Sequence, residues 1–196
     1  MRRKKGAPIE LPTLEQIEAE RNRVKYKTRY GSVLRSTTGV LLVAAAIAVL
    51  VATLWMPVLQ IYGSSMSPTL VDGQIVVTVK GSDYQTGDVC ALWLGNKLLV
   101  KRVIAAPGSW VDIDADGNVY VDGKYLEEPY LTEKALGDSN LSYPYQVGES
   151  RYFVMGDNRS VSVDSRNTQV GCISDEFMVG RIVFCVWPLS DFGVIE

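Results

Sequence analysis

From Ser36 to Val71 the chain carries no charged residue, and within that stretch Gly39 to Val58 is almost wholly Ala, Val, Leu and Ile. A run of about 20 apolar residues matches the hydrocarbon core of a bilayer, so the sequence predicts one transmembrane helix with the rest of the fold assembled outside it. Trp55, near the far end, suits an interfacial anchor, and Pro57 with Gln60 marks where helix gives way to extended chain. The 38 residues ahead of the run exceed the short leader of a cleavable signal peptide, whose apolar region is only about 7 to 15 residues. The span is therefore expected to be retained.

Charge is distributed unevenly about this span. Residues 1–38 carry 10 Lys+Arg and 4 Asp+Glu, a net of +6, whereas residues 39–196 carry 10 and 18, a net of −8. Arg21, Arg23, Lys25, Lys27, Arg29 and Arg35 lie just before the apolar run, so the excess of basic residues orients the N-terminus to the cytoplasm and the long C-terminal part outside. That basic tract is read as a topology signal that touches anionic lipid, not as a nucleic-acid site. Thr13 followed by Glu15, Ile17, Glu18 and Glu20 opens an amphipathic helix through the tract, with Met1 to Leu11 loose ahead of it. Cys90, Cys172 and Cys185 form no C-x-x-C pair, and the first and last sit in strand-like apolar runs, as buried free thiols do.

Beyond the span, short apolar runs alternate with Gly, Pro, Asn and Asp: Gln74 to Val79, Val89 to Leu94, Lys97 to Ile104, Trp110 to Asp114, Val119 to Asp122, Tyr152 to Met155 and Gly180 to Trp187. Their β-branched and aromatic content predicts a mostly β domain. Asp112-Ile113-Asp114-Ala115-Asp116-Gly117 imitates the start of a calcium loop, but its twelfth position, where a bidentate Glu belongs, is Gly123. Asp116-Gly117 and Asp122-Gly123 are read instead as hairpin turns, and Lys134 to Ser142 as a flexible loop.

The chain contains no histidine, so a serine nucleophile here has no imidazole base and needs a neutral lysine or a carboxylate. Three tracts offer the parts. Gly63-Ser64-Ser65-Met66-Ser67-Pro68-Thr69-Leu70 presents the Ser65 hydroxyl in a turn after extended chain. In Leu98-Leu99-Val100-Lys101-Arg102-Val103-Ile104, strand alternation puts Lys101 on the face of Leu99 and Val103, an apolar setting that disfavours its ammonium. Gly156 to Arg166 supplies a third hydroxyl, Ser162, and an Asp164/Arg166 pair.

In this order behind one span, the tracts resemble type I signal peptidases, serine/lysine proteases that remove signal peptides from exported proteins. Gly87-Asp88-Val89 and Pro107-Gly108 belong to the same pattern, which extends to about Trp187. The resemblance implies an antiparallel β-sheet catalytic domain at 60–196, with a hairpin-containing insertion at 109–145, anchored by a transmembrane helix at 39–59 behind a basic arm at 1–38. By motif position it makes Ser65 the nucleophile, Lys101 the general base and Ser162 the hydroxyl that orients the lysine. Asp164 and Arg166 become the supporting polar pair, and Met66 and Arg102 structural motif positions. Substrate is expected along Ile61, Tyr62, Gly63 and Ser64 and along Leu99 and Val100. Two departures stand out: Gly63 replaces a serine that some members place in the oxyanion hole, and Arg159-Ser160-Val161 replaces Arg-Asp-Asn. Relatives of the eukaryotic secretory membrane use histidine at the position of Lys101, so a chain without histidine is of the bacterial kind.

The implied reaction is metal-free and cofactor-free acyl transfer. Neutral Lys101 takes the Ser65 proton, backbone donors hold the oxyanion, and water resolves the acyl-enzyme. The implied substrates are preproteins cut after an Ala-x-Ala pattern in a cell membrane, with the secretion machinery nearby. Two other readings compete. A self-cleaving serine/lysine protease of the repressor type would carry a DNA-binding head where this chain has a span, and a non-catalytic membrane-anchored β module would reduce Ser65 and Lys101 to turn and surface residues.

Overall fold

The computed structural model describes residues 13–81 and 83–195, so the expected loose segment Met1 to Leu11 lies outside the described residues. The chain divides into two units, one ending at Leu50 and one beginning at Val51. A single helix, α1 (Leu14–Trp55), fills the described part of the first unit and runs into the second. Thr13 and Gln16 open it with a reciprocal capping box: Thr13 N–H donates to Gln16 Oε1 at 3.0 Å and Gln16 N–H to Thr13 Oγ1 at 3.4 Å. The 23 residues Val33–Trp55 are long and apolar enough to cross a bilayer. They are not buried in the protein, and Val40, Leu41, Leu42, Val43, Ile47 and Leu50 are all exposed.

The expected span of 39–59 ends earlier than its composition implies. α1 stops at Trp55, and Val58–Gln60 forms β1. Pro57 has no N–H to continue a helix, and its carbonyl accepts the Thr78 N–H at 2.9 Å and the Thr78 hydroxyl at 2.8 Å. The chain is thereby stitched to the next strand, β2 (Ile75–Val79), with Val58 opposite Val77.

The second unit is antiparallel throughout. Its remaining strands are β3 (Val89–Leu94), β4 (Lys97–Ala105), β5 (Trp110–Ile113), β6 (Val119–Val121), β7 (Lys124–Tyr125), β8 (Tyr145–Gln146), β9 (Arg151–Met155), β10 (Ile173–Ser174), β11 (Met178–Trp187) and β12 (Gly193–Val194). One sheet runs β1-β2-β11-β3-β4-β9-β10, with β12 added to β11, and the other runs β7-β6-β5-β8. The larger sheet carries Lys101 and Arg102 on β4, whose Lys97 to Arg102 pair with the whole of β3, from Val89 opposite Arg102 to Leu94 opposite Lys97, while β9 joins β4 only from Arg102 onward. The β4 segment before Arg102 is thus left with one open edge.

The core forms three apolar clusters. One, around Ile61, Met66, Leu70, Val76 and Val89, underlies the turn that contains Ser65. A second joins Cys90, Leu92, Val103 and Val154, and a third seats the smaller sheet through Val111, Val119, Val147 and Phe153. Cys90, Cys172 and Cys185 are buried and free. Of the expected turn pairs, Asp122 and Gly123, at φ of 50° and 73°, join β6 to β7 in the left-handed pair that a two-residue hairpin requires, whereas β5 and β6 are joined by a longer loop in which Gly117 N–H donates to the Asp114 carbonyl at 3.0 Å and Gly117 alone is left-handed. Asp114, from the calcium-like run, caps its own turn by accepting the N–H groups of Asp116 and Asn118 at 3.0 and 2.9 Å.

The reading of Lys134 to Ser142 as a flexible loop is overturned. Arg166 donates to the carbonyls of Ala135 and Leu136 at 3.1 and 2.8 Å, Asn167 donates to Asp138, and Asn140 exchanges hydrogen bonds with Thr168. Leu136 and Leu141 pack on the core. Glycine and small polar residues here serve close packing: a Cβ at Gly117 would meet the Ala135 backbone at 2.6 Å.

Candidate active site

Met66 and Leu70, 2% and 0% exposed, pin the turn that presents Ser65. The turn closes through Ser67 N–H to the Ser64 carbonyl and Leu70 N–H to the Met66 carbonyl. At its entrance Gly63 adopts φ +87°, a left-handed conformation open to glycine, and its N–H donates to Asp72 Oδ1 at 2.7 Å. Ser65 itself is half-buried. Its carbonyl accepts the Asn158 N–H at 3.0 Å, while its own N–H donates to no group among the described residues.

Lys101, in the middle of β4, is 4% exposed, and its amine donates to Ser162 Oγ at 3.0 Å. Burial pushes its pKa below the ordinary lysine value; Asp164 opposes that shift, Arg166 adds to it, and Asp157 opposes it. Gly156 explains how the Ser65 and Ser162 segments come together. A Cβ there would collide with the Ser162 side chain and meet the Ser65 carbonyl at 2.5 Å, so both pack against a bare glycine.

Three buried arginines surround these groups. Arg102 Nε and Nη2 bind the two Asp157 oxygens at 2.9 and 2.8 Å, and Nη1 donates to the Gly87 carbonyl at 2.7 Å. Asp157 also accepts the Thr69 hydroxyl, which ties the pair to the Ser65 turn. Arg166 binds Asp164 through Nε and Nη2 at 2.8 and 2.9 Å and also donates to the Arg159 and Ser162 carbonyls. Asp164 in turn accepts the Gly156 N–H at 2.9 Å. Arg159 donates to both carboxylate oxygens of Glu128 and, through Nε, to the Gly156 carbonyl at 3.2 Å. Breaking any of these pairs would leave a buried charge without its partner, at a cost of about 3–5 kcal/mol.

Beside Ser65, the backbone extending from β1 and the open edge of β4 bound a cleft of about 80 Å³. It is lined by Ile61, Tyr62, Gly63, Ser65, Met66, Leu99 and Val100 among others. Ser64 is exposed and does not line it. Ser65, Lys101, Ser162, Asp164, Arg166, Arg102 and Met66 thus fall in one connected region. Sequence reasoning missed Asp157, Glu128, Tyr130, Asp72 and Gly156. Asp157 stood inside a quoted tract without a role, and Glu128 lies 31 residues from Arg159 with no local pattern to mark it.

The family model described as "Signal peptidase, peptidase S26" matches residues 34–187. A signal peptidase I of Bacillus amyloliquefaciens is 33% identical over 178 residues, which is 85% of this chain and 95% of that protein. Signal peptidase I T of Bacillus subtilis (strain 168) is 32% identical over 77% of this chain and 84% of its own length. Signal peptidase IB of Staphylococcus aureus (strain COL) is 37% identical over 67% and 78%. A crystal structure of a signal peptidase I from Enterococcus faecalis V583 overlaps 50% of this chain and 96% of that one, at 27% identity and a TM-score of 0.42. With more than half of its length matched by the family model and most of it shared with these enzymes, the chain belongs to the signal peptidase I family, membrane-anchored serine endopeptidases of family S26 that remove signal peptides.

Proposed function

We propose that this signal peptidase cleaves preproteins with Ser65 as nucleophile and Lys101 as general base. The observation that carries the reading is the buried Lys101 amine, held at 3.0 Å by Ser162 and pushed toward its neutral form. A neutral amine has two N–H bonds and one lone pair. Donation to Ser162 uses a proton and leaves the lone pair to accept from Ser65. As Ser65 Oγ attacks the scissile carbonyl its proton passes to Lys101, and the oxyanion forms beside the unengaged Ser65 N–H. The Lys101 ammonium then protonates the leaving amine. In the second half, water attacks the acyl-enzyme, its proton passes to Lys101, and Ser65 is regenerated.

The cleft supports an extended substrate. Its walls are β1 with the chain that continues from it, Leu59 to Gly63, and the open edge of β4, Leu98 to Val100, and a peptide laid along that open edge adds a strand to the sheet. The small enclosed volume favours small side chains, in keeping with an Ala-x-Ala pattern. On this reading the N-terminal arm is cytoplasmic, the catalytic domain lies outside the cell membrane near the secretion machinery, and neither metal, organic cofactor nor nucleic acid takes part.

Cleavage of a purified Ala-x-Ala precursor tests the assignment. Ser65→Ala and Lys101→Ala should each fall to below roughly 10⁻⁴ of wild type. Ser162→Ala should lose about 10- to 100-fold, the value of one charge-assisted hydrogen bond. Equal activity in Lys101→Ala and wild type would sink the mechanism.

A further inference from the structure

Each arginine around the dyad is completed by a group from one short segment of the insertion. Tyr130 places its ring under the Arg102 guanidinium, 3.8 Å from Cζ. Glu128 takes both Nη groups of Arg159 and accepts the Tyr130 hydroxyl at 3.0 Å. Ala135 and Leu136 supply carbonyls to Arg166. Glu128 is buried in its ion pair, and the Tyr130 hydroxyl is pushed up by burial and by that carboxylate. Exposed ion pairs contribute little to stability, but this set is desolvated, and removing one member leaves a buried charge unmatched.

We propose that Glu128 and Tyr130 form a strap that positions the catalytic dyad from outside the cleft. Tyr130 holds the Arg102–Asp157 pair, which is bonded to Thr69 in the Ser65 turn. Glu128 holds Arg159, which fixes the Gly156 carbonyl where Ser65 and Ser162 meet. Neither residue touches substrate; both are positioning residues. The proposal rests on the Ser65/Lys101 reading.

The strap should act on the charge balance at Lys101, whose facing charges are Asp164, Arg166 and Asp157. In Glu128→Gln Arg159 loosens its hold on the Gly156 carbonyl, Asp164, which accepts the Gly156 N–H, draws away from Lys101, and with less negative potential to favour the ammonium the acidic limb of kcat/KM moves to lower pH. In Tyr130→Leu the Arg102–Asp157 pair loosens, Asp157 stabilises the ammonium more strongly, and the limb moves to higher pH. Tyr130→Phe keeps the ring and restores the wild-type limb.

The experiment is the pH profile of cleavage of a synthetic Ala-x-Ala precursor by the full chain in detergent micelles, with thermal melting to confirm folding. Glu128→Gln and Tyr130→Leu should each lower kcat by about 10-fold or more, with KM changing less, and move the limb in opposite directions. If one of the two does not fold, the other carries the same readout. A folded variant whose limb stays at the wild-type position, whatever its kcat, overturns the strap. Lys101→Arg, run alongside, separates the two ideas: cleavage by that variant overturns the dyad reading, whereas an inactive Lys101→Arg with unmoved limbs in the strap variants overturns the strap alone.

Discussion

In its proposed role Lys101 faces two conflicting demands, since a base must be neutral at working pH and a folded core tolerates an amine poorly. Burial resolves the first at the expense of the second. Because the folded pKa lies below the unfolded value, the unfolded chain holds more protons in the window between the two, and stability rises with pH across it. Below the folded pKa the buried ammonium destabilises in full. Lys101→Met should therefore be inactive yet melt a few degrees higher than wild type at neutral pH, the gap closing as the pH approaches the unfolded lysine value of about 10.4. Activity of the wild type should rise with pH through the lowered Lys101 pKa, with no histidine available to account for the limb. Gly156 gives a second test. Its missing Cβ leaves the space into which Ser162 and the Ser65 carbonyl pack, so Gly156→Ala should displace one from the other and lower kcat by on the order of 10²-fold. The Ser65 and Lys101 tracts were legible only together: a turn before proline or an alternating strand marks neither residue alone, and the resemblance rests on their order, with the Ser162 tract, behind one span. Glu128 and Tyr130 were not, because what makes them matter is a partner far along the chain.

At the scale of elements, legibility followed length. β2, β3, β4 and β11 hold enough residues to show their β-branched or alternating character, whereas β7, β8, β10 and β12, of two residues each, contain no period to detect. β1 lies in the uncharged run, where strand and span share one composition, so that Pro57 and Gln60 mark the change to extended chain without fixing its first residue. The segment from Lys134 to Ser142 shows that turn-forming residues report backbone conformation, not mobility. Lys134 is itself held, donating to Asn118 Oδ1 at 2.9 Å and to the Tyr125 hydroxyl. Trypsin should consequently cut the native domain slowly after Lys134. Asn140→Ala removes the two bonds to Thr168, about 1–2 kcal/mol of local closure, and should raise the nicking rate roughly tenfold when followed by mass spectrometry. Unchanged nicking in that variant would mean that the contacts of Arg166, Asn167 and Lys134 hold the loop without Asn140.

For the whole molecule, the proposed function implies one topology. If the proposed dyad works on preproteins outside the cytoplasm, the +6 arm has to stay inside, as the excess of basic residues before the apolar run favours. The chain's own thiols leave a clean background for testing this, because Cys90, Cys172 and Cys185 are all buried. In intact cells, a membrane-impermeant maleimide should label an Asp116→Cys variant, whose position is exposed on the β5–β6 turn. It should spare Lys25→Cys, exposed on α1 ahead of the span, until the membrane is permeabilised. The native protein should remain unlabelled in both conditions while folded. Labelling of Lys25→Cys but not Asp116→Cys in intact cells would place the dyad in the cytoplasm, where signal peptides have not yet crossed, and would be incompatible with the proposed topology.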